Sequence, residues 1–209
     1  MFSFQADTPI NRFLARLFDL FLLQLLFILT SIPLITIGAS ISAVFSVCRK
    51  LRQDSISGVV LCYFKEFAAG WKQATAAWLL LLLTAFILFT GFRYYTTGGI
   101  WHFAGRILIL LAAAGVYLIN LYLFPMIAWL EHPLFSRMKN ALALALMHLK
   151  TTILATGILA LACFAARYLL PLFLFLGVSA TIYMLSGLFL ETLRIYSPEL
   201  VPQDLPEEE

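Results

Sequence analysis

The sequence predicts an all-α, polytopic transmembrane bundle of about six membrane helices, the second one short, with two amphipathic helices at the cytoplasmic interface. Three observations carry this. Hydrophobic residues make up 62% of the chain and charged ones 12%, against roughly 25% charged in soluble domains. The apolar residues fall in blocks of roughly twenty, the length a helix needs to cross ~30 Å of hydrocarbon while satisfying its own backbone. Bases gather in two connecting segments, 49–73 and 131–150, as the positive-inside rule asks of cytoplasmic loops.

Charge is unevenly placed. Net charge is +3, yet five of the eleven acids and none of the fourteen bases follow Pro198, so residues 1–198 carry +8. That excess suits anionic headgroups, so the lipid bilayer is the first partner expected. No soluble domain is left to read nucleic acid. Residues 1–196 read as one membrane domain in the cell membrane, and 197–209 as a disordered acidic cytoplasmic tail. Cys48, Cys62 and Cys163 form no CxxC pair, so neither a disulfide framework nor a zinc site is expected. Asp7 and Asp19 and the length of the first apolar run argue against a cleavable signal peptide.

Taken in order, Thr8-Pro9 opens a helix whose first span covers about Leu17 to Ser31. Arg16 and Asp19 are three apart and placed to pair, and Gln24 lies deeper, where an amide bonds to a neighbouring helix. Pro33 breaks this run. Beyond it Gly38, Ser42 and Ser46 fall at i, i+4, i+8, a small-residue face that lets helix backbones approach closely in lipid. Arg49, Lys50 and Arg52 end it at a water interface. From Pro33 to Lys50 is 18 residues, about 27 Å as a helix and just short of the ~30 Å core. Two paths follow. Six crossings put eleven bases inside and three outside, with both termini cytoplasmic; five crossings, with 33–50 re-entrant, give nine against five. The charge rule selects six and the length favours five.

Over Gly58–Lys72, Phe67 and Trp71 recur at helical spacing with Tyr63 or Phe64, opposite Lys65 and Lys72. This predicts an interfacial amphipathic helix ahead of a third span at Ala74–Phe92. Trp71 and Trp78 are headgroup-level anchors. Thr96 to Gly99 is a turn, and Trp101 and His102 mark the outer interface. The fourth span, near Arg106 to Trp129, is slim at Ala112–Gly115, polar at Tyr117, Asn120 and Tyr122, and bent at Pro125. Asn120 is the candidate intramembrane polar site beside Gln24.

Glu131-His132-Pro133 ends that helix. Phe135, Met138, Leu142, Leu146 and Leu149 then form one stripe opposite Arg137, Asn140 and His148, which predicts a second interfacial helix whose polar side is the candidate cytoplasmic face. The fifth span, Thr151–Ala166, repeats small residues at Thr152, Thr156 and Ala160. Arg167 to Pro171 turns the chain outside. The sixth, Leu172–Thr192, carries Gly177, Ser179, Thr181, Ser186 and Gly187, and Glu191 is placed to pair with Arg194.

No HExxH, GxSxG, phosphate loop or GxGxxG is present, and the three histidines are scattered. No catalytic residue, metal or cofactor is expected, and the chain reads as a non-enzyme. Four pieces, RFLARLFDLFLLQLLFILTSIPLITIGAS (12–40), FKEFAAGWKQATAAW (64–78), LYLFPMIAWLEHPL (121–134) and KNALALALMHLKTT (139–152), together resemble the YesL-like family of bacterial integral membrane proteins, whose molecular function is uncharacterised. Pro-x-x-Thr-Ile-Gly-Ala-Ser (33–40) is the most specific of them. The resemblance implies a protein of the cytoplasmic membrane with an accessory role near a carbohydrate ABC transporter or its sensor. It brings no catalytic residues. The expected function is therefore a non-enzymatic accessory or scaffold, with homo-oligomerisation open. The alternative is a small-solute permease with a polar path near Asn120.

Overall fold

The computed structural model describes residues 9–53, 55, 58–95, 100–129 and 134–196. Among them are seven α-helices: α1 (Pro9–Thr30), α2 (Ile37–Arg52), α3 (Val59–Tyr94), α4 (Ile100–Trp129), α5 (Leu134–Met147), α6 (Leu149–Tyr168) and α7 (Leu170–Tyr196). Six of these, counting the 19-residue stretch Leu34–Arg52 that contains α2, are long and apolar enough to cross a membrane. The acidic tail, the turn at 96–99 and the helix stop at 131–133 lie outside the described residues, as do the side chains of Trp101 and Arg194.

α1 stops where Pro33 can no longer continue it. The Thr36 hydroxyl bonds to the Thr30 and Pro33 carbonyls at 2.6 and 2.7 Å, answering acceptors that a helix end leaves open. A short 3₁₀ turn, Leu34–Thr36, then leads into α2. Trp78 donates its indole N–H to the Leu34 carbonyl at 3.0 Å, pinning this turn against α3.

α2 is the interior of the protein. Its 34–52 stretch is 61% buried, against 11–33% for the other five apolar helices, whose large side chains face outward. In a bilayer those outward faces meet lipid, so burial here means helix–helix contact. Gly38 makes the closest approach: a Cβ there would lie 2.5 Å from the Trp78 Cβ and 2.7 Å from the Ala74 carbonyl. One turn on, Ser42 faces Gly70 across the same seam.

The amphipathic stretch 58–73 is not a helix of its own. It runs without a break into the third span, and α3 is one helix of 36 residues, about 54 Å long at 1.5 Å per residue. The reason is local. Between Lys65 and Leu80 the sequence holds no proline, and one glycine, Gly70, costs a helix only ~1 kcal/mol relative to alanine. The helix that holds the fourth span likewise begins ahead of Arg106, at Ile100, with its apolar span starting at His102.

Registers of contact give helix directions. α3 and α4 run antiparallel, with Gly91 against Ile109 and Trp78 against Phe124. α4 and α6 run antiparallel through Tyr117–Thr156 and Tyr122–Thr152, and α6 turns back at Leu169 into α7, whose Thr192 returns to Thr151. α1 pairs with α7 at constant offset, Phe21 on Phe175 and Gln24 on Ser179, so these two helices point the same way. α2 is antiparallel to α3 (Gly38–Trp78, Lys50–Glu66) and also to α7 (Phe45–Phe189, Arg52–Tyr183). Because α3 and α7 themselves run in opposite directions, α2 lies across the bundle. The path that follows has α1 descending, α2 crosswise at the α5 end, and α3, α4, α6 and α7 alternating. Both termini on one side, as six crossings require, does not follow from these registers.

Two outcomes are expected. Impermeant thiol labelling in intact cells, on a cysteine-free background, should find residue 11 and a C-terminal cysteine on opposite sides; labelling from the same side would contradict the α1–α7 register. Gly38→Val should destabilise the protein by ~1–3 kcal/mol through overpacking, read as a lower melting temperature in detergent. Gly115→Ala, where a Cβ meets nothing within 4 Å, should not.

Candidate functional site

Polar groups buried in lipid are satisfied by partners or they are expensive, so the partners show what each one does. Gln24 is 2% exposed, and its Oε1 accepts the Ser179 backbone N–H at 2.9 Å. It ties α1 to α7 and is not among the residues that line the cavity between α4 and the α6–α7 pair. Ser46 donates to the Ala128 carbonyl at 3.0 Å, and Trp129 returns a bond from its indole to the Phe45 carbonyl at 3.2 Å. Ala128 is in the last turn of α4, where carbonyls lack helical partners, so α2 caps α4 from the side.

Three ties escape a reading of the letters. Thr30 meets Ser40 at 2.9 Å and the Tyr63 hydroxyl at 2.6 Å, joining α1, α2 and α3. Lys50 and Glu66 form an ion pair of 2.7 Å between α2 and α3. Arg52, which the sequence marks only as a basic stop, reaches into α7: it donates to Ser186 at 3.1 Å and to the Tyr183 carbonyl at 2.7 Å, with its guanidinium 4.2 Å from the Tyr183 ring centroid. A Cβ on Gly187 would sit 2.9 Å from that guanidinium. The pair Ser186-Gly187 is the signal in the sequence, since it supplies an acceptor and the room beside it.

The candidate face on α5 is turned around. Arg137 is 3% exposed and donates to Gln73 Oε1 at 2.8 Å, tying α5 to α3. Asn140 and His148 are half-buried, with Ala141, Leu144 and Ala145 on the same inward side. What α5 presents outward is apolar: Phe135 is 69% exposed, and Leu146 and Met147 are also exposed. Lys139 lies over the Phe135 ring, 4.7 Å from its centroid. Phe135, Leu146 and Met147 face lipid or a partner, while Arg137 anchors the helix inward and Lys139 stays exposed.

Between α4 and the α6–α7 pair is a cavity of about 520 Å³, within the ~300–1,000 Å³ of small-molecule sites. Its wall draws on six helices, through Phe27, Phe45, Trp78, Phe124, Leu159 and Ile182. Asn120 lines it together with the hydroxyl residues Tyr117 and Thr181. Tyr117 gives its hydroxyl to Thr156 at 3.1 Å, and Thr181 gives its own to the Gly177 carbonyl at 2.6 Å. Gln24 and Asn120 therefore do not share a path.

This is the architecture of a multi-pass helical membrane protein. Residues 20–92, from the middle of α1 through most of α3, match the model of a family described as a protein of unknown function, DUF624. Comparison with curated proteins and with solved structures gives no match.

If Gln24 serves as interhelical glue, Gln24→Leu should lower stability by ~0.5–2 kcal/mol, the range of such bonds in membranes. Thermal unfolding in detergent checks this. A variant with unchanged stability would remove Gln24 from the packing account.

Proposed function

We propose that this protein is a non-enzymatic membrane accessory protein of the YesL-like type, acting through contacts with a carbohydrate transporter or its sensor. One observation carries the reading against its rival. The centre of the bundle is apolar, and the amide expected to line a polar path, Gln24, is bonded to Ser179 instead. A permease for small polar solutes needs polar groups that converge at mid-depth, and here Asn120 stands apart from Gln24. The match over 20–92 supports the family resemblance, and the resemblance supplies the carbohydrate context.

The contact surface in this reading lies at the α5 end. Phe135, Leu146 and Met147 of α5, with Leu61 and Phe64 of α3, are exposed apolar residues beside the bases Lys65 and Lys139. Aromatic and aliphatic anchors rimmed by charge are what a protein partner recognises.

Affinity purification from native membranes should recover a carbohydrate transporter or sensor subunit, and Phe135→Ser with Leu146→Ser should lose it while the protein stays folded. A deletion strain should show altered sugar uptake. Recovery of the bare chain with uptake intact would defeat the proposal.

A further inference from the structure

We propose that the cavity between α4 and the α6–α7 pair holds one acyl chain of a phospholipid drawn from the surrounding bilayer, with Arg167 meeting its phosphate. The wall is mostly hydrocarbon and aromatic, with Asn120, Tyr117 and Thr181 its few polar members, and a void of largely apolar lining holds little water. The hydroxyls of Tyr117 and Thr181 are already given to protein acceptors. An occupant therefore needs an apolar body, with the Asn120 amide the one polar side chain left to meet at depth.

The way in is from the side. α4 and α6 are tied by Tyr117–Thr156 and Tyr122–Thr152, both toward the α5 end. Beyond these ties, toward the α6–α7 turn, α6 offers the cavity Leu159 and then the small residues Ala162, Cys163 and Ala166. α4 contributes to the wall only from Tyr117 onward, through Tyr117, Asn120, Leu121 and Phe124. Leu161 and Phe164, neighbours in sequence of the lining residues Ala162 and Cys163, are exposed on the outer side of α6. The cavity is thus continuous with the lipid-facing surface.

The charge at the mouth selects a phospholipid over a neutral apolar solute. Arg167 stands one turn past the cavity-lining Cys163, on the same side of α6, and is exposed at the end of that helix. A guanidinium at this level is placed for a phosphate oxygen while the chain descends along Ala166 and Ala162.

The test uses the full-length chain, delipidated in mild detergent, then titrated with phosphatidylglycerol or phosphatidylcholine and read by native mass spectrometry. One phosphatidylglycerol per chain should bind. Filling the cavity with Ala162→Phe and Ala166→Phe should reduce that binding to background. Leu161→Phe, on the lipid-facing side, should leave it intact. Arg167→Gln should weaken phosphatidylglycerol about fivefold, as for one base near an anionic surface, and bring it close to phosphatidylcholine. If the double variant does not fold, Ala166→Leu alone should still weaken binding relative to Leu161→Phe. Unchanged binding in the filled variants, equal loss in Leu161→Phe, or the same Arg167 dependence for inorganic phosphate alone would overturn the proposal.

Discussion

The close approach of α2 to α3 at Gly38 is the constraint on which the remaining packing depends. Lipid tails are as apolar as leucine, so burying leucine against leucine gains little in a membrane, and helices associate through dispersion at short range and through hydrogen bonds. Only a residue without a side chain lets the backbone of α2 come within contact of Ala74 and Trp78. Once α2 is seated there, its other faces fall within reach of α1, α4 and α7. The Thr30–Ser40–Tyr63 hydroxyls, the Ser46–Ala128 bond and the Arg52 contacts to α7 all use that position.

A crosswise, buried α2 also explains where the charges sit. Its C-terminal end carries Arg49, Lys50 and Arg52, which suits the negative end of a helix. Lys50 finds Glu66 and Arg52 finds the Tyr183 carbonyl and Ser186. Two of the three bases at this helix end, Lys50 and Arg52, thus have partners within the protein. The outer helices, by contrast, spend their large residues on lipid and keep small ones for their neighbours.

Much of the fold is legible in the letters, for a reason that also sets the limit. Backbone satisfaction in lipid forces helices, so apolar blocks give their number, and Pro33 gives the break between α1 and α2. The spacing of Gly38, Ser42 and Ser46 is equally visible, and these are residues that meet α3 and α4. Direction is not visible. A helix lying across a bundle and one crossing it have the same periodicity and the same basic end, and counting bases weighs only where loops fall. The inward turn of Arg137 is hidden likewise, because in a membrane the apolar stripe of an amphipathic helix has two possible hosts, lipid and core. The cavity has no sequence signal beyond Ala162 and Ala166, small residues of a kind that elsewhere in this chain mark tight contact.

The reach of Arg52 into α7 has a consequence for biogenesis. Its hydrogen-bonding partner Ser186 is 134 residues further along the chain, so at ribosomal speed it emerges on the order of ten seconds later. Through that interval the Arg52 guanidinium is without its α7 partners, although Gly38 and Ser42 can already pack on α3. The nascent N-terminal third must be held by the insertion machinery, or rest at the headgroup surface, until the last helix arrives. The final helix to be made is thus the one that locks the second into place.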